Sequence, residues 1–151
     1  MRPKTLPIEG ACRCGATRVR LSAAPRMTAA CHCRGCQKMS ASAYSLTAMV
    51  PADAFEVIQG EVVVGGAKSP ELQHFFCPDC MTWMFTRVTG MDDLVNIRPT
   101  LLEDCTWFTP FIETMTREKL HWAETPAQHS FEGFPEMADF EALLEAFAQQ
   151  G

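Results

Sequence analysis

Seven of the eight cysteines fall into three short groups: Cys12-Arg13-Cys14, Cys31-His32-Cys33-Arg34-Gly35-Cys36 and Cys77-Pro78-Asp79-Cys80. Thiolates are strong zinc ligands, taken in fours at a closed tetrahedral site or in threes where one position is kept for water or substrate. In a C-x-C run of extended chain both side chains leave one face, and a C-x-x-C turn brings two sulfurs to one ion. Each group is therefore a chelating arm built from local sequence. Seven divides as four plus three. The division that keeps every group whole and closes one site puts Cys12, Cys14, Cys77 and Cys80 on one metal and Cys31, Cys33 and Cys36 on another. The first site would tie the N-terminal strand to a distant hairpin, and the second would keep one position for chemistry. A second reading closes both sites, with Cys105 or His32 as the missing ligand. Cys105 stands alone, as small buried cysteines do, and His32 between two ligands in extended chain points to the face opposite them.

The elements that must hold these groups are short. At 151 residues, with 47% apolar and 21% charged residues, the chain has the size and composition of one folded domain over residues 1–151. A core of that size needs no disulfide framework, so the cysteines have another use. Met1 to Ala11 lacks the apolar stretch of a signal peptide, and no run reaches the length of a membrane span. The expected location is a reducing cytoplasm, where grouped cysteines serve as metal ligands or catalytic groups. A net charge of −5 and a pI near 5.3 argue against a nucleic-acid partner. Arg13, Arg18 and Arg20 read as the solvated face of a strand.

Thr17–Leu21, Ala43–Met49, Phe55–Gln59, Leu72–Phe76, Trp83–Thr86 and Leu94–Ile97 are runs of β-formers separated by turn signals such as Gly65-Gly66 and Thr89-Gly90. They predict a mainly β fold with antiparallel, meandering strands. Met137, Phe140, Leu143, Leu144 and Phe147 recur at helical spacing after Pro135 and predict one amphipathic helix over about 135–148, packed on the domain's own sheet. A homodimer stays open.

Gly10-Ala11-Cys12-Arg13-Cys14-Gly15, the stretch CHCRGCQKMSASAYS from Cys31, and Phe76-Cys77-Pro78-Asp79-Cys80 together resemble the glutathione-dependent formaldehyde-activating enzyme (GFA) family, which includes the centromere protein V relative. The likeness runs from about Gly10 to near Phe111. It implies twisted antiparallel sheets organised around two zinc ions per chain, with Cys12, Cys14, Cys77 and Cys80 structural and Cys31, Cys33 and Cys36 catalytic. It also implies carbon–sulfur chemistry of the lyase type, joining glutathione and formaldehyde as S-hydroxymethylglutathione. Two positions depart from the family pattern: Met81 and Ala41 stand where glycine is usual. If either needs positive φ, its side chain costs roughly 1 to 2 kcal/mol.

Three thiolates on Zn²⁺ leave a net charge near −1, a poor setting for making hydroxide but one that can take an incoming thiol and lower its pKa. The expected reaction adds a thiol, glutathione or similar, to a small aldehyde, or runs in reverse. His32, His74 or solvent would handle the proton, and Arg34 and Lys38 could meet a glutathione carboxylate. The alternative is a non-enzymatic zinc scaffold that binds a protein partner with both sites structural; a nucleic-acid-binding zinc ribbon suffers from the acidic balance.

Overall fold

Alternation in Arg18-Val19-Arg20-Leu21 buries Val19 and Leu21 and leaves both arginines part-exposed. The structure is a computed structural model that describes residues 1–150. In chain order the strands are β1 (Ile8–Ala11), β2 (Arg18–Leu21), β3 (Met27–Cys31), β4 (Ser45–Pro51), β5 (Phe55–Gln59), β6 (Val63–Gly65), β7 (Leu72–Phe76), β8 (Trp83–Val88), β9 (Leu94–Ile97), β10 (Ile112–Thr114) and β11 (His129–Ser130). The helices are α1 (Arg34–Ser40) and α2 (Met137–Ala148). Strands β1, β2 and β5 form a small antiparallel sheet. The others form a large sheet in the order β11-β10-β3-β4-β9-β8-β7-β6.

The mainly β class and the C-terminal helix are as expected, with one correction to the antiparallel pattern. Strand β10 runs parallel to both β3 and β11. It enters the sheet in the same direction as β9 with two strands between them, so the chain from residue 98 to 111 is a crossover rather than a hairpin. Strands β1, β3, β6, β10 and β11 and helix α1 carry no pattern that singles them out; β3, for example, is Met-Thr-Ala-Ala-Cys. Pairing partners, not propensity, make them strands.

The centre of the large sheet is covered on both faces. Along β4, Ala48 and Val50 join a cluster with Val19, Leu21, Phe55 and Ile97 under the small sheet. Met49, between them, packs on the opposite face with Met27, Phe111, Ile112 and the α2 residues Leu143 and Phe147. Each fully buried aliphatic or aromatic side chain contributes about 1.5 to 3 kcal/mol. Helix α2 thus packs on its own sheet, as expected, although Pro135 lies just before the helix rather than in its first turn. Arg18 and Arg20 are paired with Glu9, Glu56 and Glu103 at 3.1 to 3.4 Å and form no free basic patch. Among the described residues no helix is long and apolar enough to cross a membrane.

Candidate metal centres

Cys12 follows β1 and Cys14 sits two residues on, in a turn closed by the Gly15 N–H donating to the Cys12 carbonyl at 3.0 Å. A tight turn, not the extended chain expected for C-x-C, therefore brings these two sulfurs to 3.6 Å. Cys77 follows β7, and the turn to Cys80 is closed by Met81 N–H to the Cys77 carbonyl at 2.9 Å. Cys14 and Cys77, 63 positions apart, have sulfurs 3.8 Å from each other. All four ligand atoms lie within 4.8 Å of one another. Tetrahedral zinc with bonds of about 2.3 Å needs sulfurs about 3.8 Å apart, so this donor set fits the ion. Supporting donors surround it: Thr17 N–H reaches the Cys12 sulfur at 3.3 Å, and the Thr82 hydroxyl lies 3.1 Å from that of Cys80, which it pulls down to about 5.

The second cluster is built on the large sheet. Met27, Ala29 and Cys31 alternate along β3, and Ala29 and Cys31 reach the cavity beside α2. Cys33 caps α1 by accepting the Cys36 N–H at 3.3 Å, so a strand end and one helical turn deliver three sulfurs within 4.8 Å of one another. The hydrogen bond with Cys36 draws Cys31 down to about 5, and the same bond pushes Cys36 up. Among the described residues no other histidine, cysteine, aspartate or glutamate joins either cluster. Cys105 lies in a separate turn, closed by the Phe108 N–H on its carbonyl. His32 faces away from the sulfurs: it is fully buried, with Nε2 2.8 Å from Glu113 Oε2, and Glu113 also accepts from Thr125 and Ser130 at 2.8 and 2.6 Å. Neither closes the tripod.

The two departures from the family pattern fall where backbone geometry is demanding. Ala41 ends α1 with φ 50°, its N–H donating to the Gln37 carbonyl, and Met81 has φ 59°. Both positions are left-handed, the conformation glycine adopts without steric cost.

Cys31, Cys33 and Cys36 open onto a cavity of about 320 Å³. Its polar lining includes His74, Trp83, Thr86, Asn96 and Arg98, and its apolar lining includes Met49, Ile112, Phe134 and Phe140. His74 bonds through Nδ1 to the Thr86 hydroxyl at 2.8 Å, which also accepts from Trp83 Nε1 at 3.1 Å. Burial first and the nearby Arg98 second push His74 down, so it is neutral at neutral pH. Burial also lowers Arg98, to about 10, and it stays charged. Arg34 and Lys38 do not line this cavity. Helix α1 carries them to a different one of about 780 Å³ with Tyr44 and Trp122, so their nearness in sequence to the tripod is not nearness to its opening. Sequence reasoning missed Arg98, Trp83 and the wall from Phe134 to Phe140. A basic residue directly after the apolar run of β9 is the one signal for Arg98.

No curated protein matches the chain. A crystal structure of a Rhodobacter sphaeroides protein is similar in fold, with a TM-score of 0.52 at 16% identity over 63% of this chain and 87% of that one. The family profile for the glutathione-dependent formaldehyde-activating enzyme matches residues 7–118, spanning both cysteine clusters and Arg98 but not α2. With well over half its length matched by that profile, the chain belongs to the glutathione-dependent formaldehyde-activating enzyme family.

Proposed function

We propose that the protein is a zinc-dependent enzyme of the carbon–sulfur lyase type, which adds a thiol such as glutathione to a small aldehyde such as formaldehyde, or catalyses the reverse. The observation that carries this reading is a cluster of three cysteine sulfurs, with no fourth protein ligand among the described residues, on the wall of a cavity. Cys12, Cys14, Cys77 and Cys80 would hold a structural zinc and Cys31, Cys33 and Cys36 a catalytic one. Bound there, zinc supplies a Lewis acid that lowers the pKa of a thiol in its remaining coordination position.

The rest follows from the chain's own groups. Addition forms one carbon–sulfur bond, opens the carbonyl double bond and moves one proton from sulfur to oxygen. His74, neutral and on the cavity wall, is the histidine placed to exchange that proton through Nε2, because Nδ1 is taken by Thr86. His32 is excluded from the step by its burial against Glu113 and serves to fix the backbone between Cys31 and Cys33. Arg98 offsets the net negative charge of a trithiolate site. Met49, Ile112, Phe134 and Phe140 give the cavity an apolar surface near the three sulfurs.

Cobalt substitution tests this reading. Glutathione added to cobalt-loaded protein should strengthen the thiolate-to-metal charge-transfer band, and oxidised glutathione should not. The response should be absent in Cys36→Ser and present in Cys105→Ser. A spectrum of four sulfurs before any thiol is added, indifferent to glutathione afterwards, would favour the non-enzymatic scaffold.

A further inference from the structure

Arg98 is only 8% exposed, yet no carboxylate oxygen among the described residues lies within 4.0 Å of its nitrogens. Its hydrogen bond runs from Nη2 to the Asn96 carbonyl at 3.3 Å, and Nε is buried with no acceptor. The guanidinium carbon sits 4.2 Å above the centre of the Trp83 ring. Stacking on the indole fixes the plane of the group, and Arg98 lines the cavity with part of its donor capacity unused. A buried cation without a hydrogen-bonded counter-charge is costly. A guanidinium held in one plane with donors to spare is also the geometry that takes a carboxylate through two parallel hydrogen bonds.

The remainder of the cavity limits what else such a ligand can carry. Arg98 is the one lining side chain with a permanent charge; no Asp, Glu or Lys of the described residues lines it, and His74 is neutral. The lining also includes the apolar side chains of Met49, Leu72, Met91, Ile112, Phe134 and Phe140. Glutathione brings two carboxylates and an ammonium group, for which this surface offers one cation and no anion. Phe134 and Phe140 lie beyond residue 118, outside the region matched by the family profile.

We propose that Arg98 is an anion-recognition residue and that the cavity selects a reactant with a single carboxylate on a short apolar body in preference to glutathione. A divalent ion on three thiolates carries a net charge of −1, which Arg98 offsets, so the carboxylate enters a near-neutral site. The catalytic meaning of this inference rests on the thiol-addition reading, but its binding test does not.

The test is calorimetric titration of the zinc-loaded full chain with hexanoate and with hexanamide, which has the same apolar body and no charge. Hexanoate should bind at least tenfold more tightly. Arg98→Gln should weaken hexanoate at least tenfold and leave hexanamide unchanged, and Arg98→Lys should keep part of the preference. Should Arg98→Gln not fold, the Arg98 Nε–H resonance of the native protein reads the contact directly, and it should shift with hexanoate but not with hexanamide. Equal affinities, a hexanoate preference that survives in folded, zinc-loaded Arg98→Gln, or an unmoved Nε–H resonance overturns the proposal. A cobalt-loaded chain that ignores both glutathione and the single-carboxylate thiol 3-mercaptopropionate while hexanoate binds as described faults the thiol-addition reading alone. One that takes glutathione but does not discriminate hexanoate faults this inference alone.

Discussion

Replacing Cys77 by serine should cost far more stability than replacing Cys36, and the difference follows from where each cluster closes the chain. Cys14 and Cys77 are 63 positions apart, with their sulfurs 3.8 Å from each other. A cross-link over that length removes roughly 14 cal/mol/K from the unfolded ensemble, or about 4 kcal/mol at room temperature. Cys31 and Cys36 are five positions apart, and the same relation gives about 2 kcal/mol. Domains of this size are stable by about 5 to 15 kcal/mol, so loss of the first cross-link removes a large share. Cys77 is also fully buried in the core between the sheets, whereas all three tripod cysteines are only part-buried. At roughly 2 to 4 °C per kcal/mol, Cys77→Ser should melt at least roughly 8 °C below the native protein or fail to fold. Cys36→Ser should lose about half as much and remain folded. Thermal melts followed by circular dichroism, with zinc content measured on each sample, provide the assay. If the two variants melt within a degree or two of each other, the assignment of a structural and a catalytic cluster is wrong.

Metal analysis after anaerobic purification should return two zinc ions per chain, and one or none would refute the four-plus-three division. Cys36→Ser should abolish thiol–aldehyde exchange, whereas Cys105→Ser should retain it within about twofold, as measured by the rate of S-hydroxymethyl thiol formation. Ala41→Gly and Met81→Gly should each stabilise the fold by up to about 1 kcal/mol in denaturant melts, because relief of left-handed strain of about 1 to 2 kcal/mol outweighs glycine's greater unfolded-state entropy; a loss of stability would contradict the assigned φ. Burial alone would raise the Glu113 carboxyl, but the hydrogen bonds from Ser130, His32 and Thr125 together hold it below its ordinary value of 4.5. That stabilisation is complete above pH 4.5 and is lost as pH falls through the lower folded value. The stability gap between native protein and Glu113→Gln should therefore shrink as the pH falls below 4.5, and a gap that stays constant in acid melts would refute it.

The two cysteine clusters were legible because the means of chelation is a local property. Sulfurs two or three residues apart are brought together by one turn, whether the turn at Cys12 to Gly15 or the cap at Cys33, and counting them separates four from three before any fold is known. Strands β5, β7 and β9 were legible to the residue for a similar reason, since β-branched and aromatic runs bounded by turn residues report their own conformation. Strand β3 was not: Met-Thr-Ala-Ala-Cys becomes a strand because β4 and β10 flank it.

Sequence neighbours misled where side-chain direction mattered. Arg34 and Lys38 adjoin the tripod along the chain, but α1 turns them to another cavity. His32 lies between two candidate ligands, yet its partner is Glu113, 81 positions away. The cavity itself came only from tertiary structure. Its walls are contributed by β3, β4, β7, β8, β9 and β10 together with the segment leading into α2, elements up to a hundred residues apart in the chain. Which residue types ligate a metal is settled by local spacing and thiol chemistry. What stands beside the cysteine cluster, including Arg98 on the face of Trp83, is settled by strand pairing and by the crossover into β10, which no periodicity within one segment encodes.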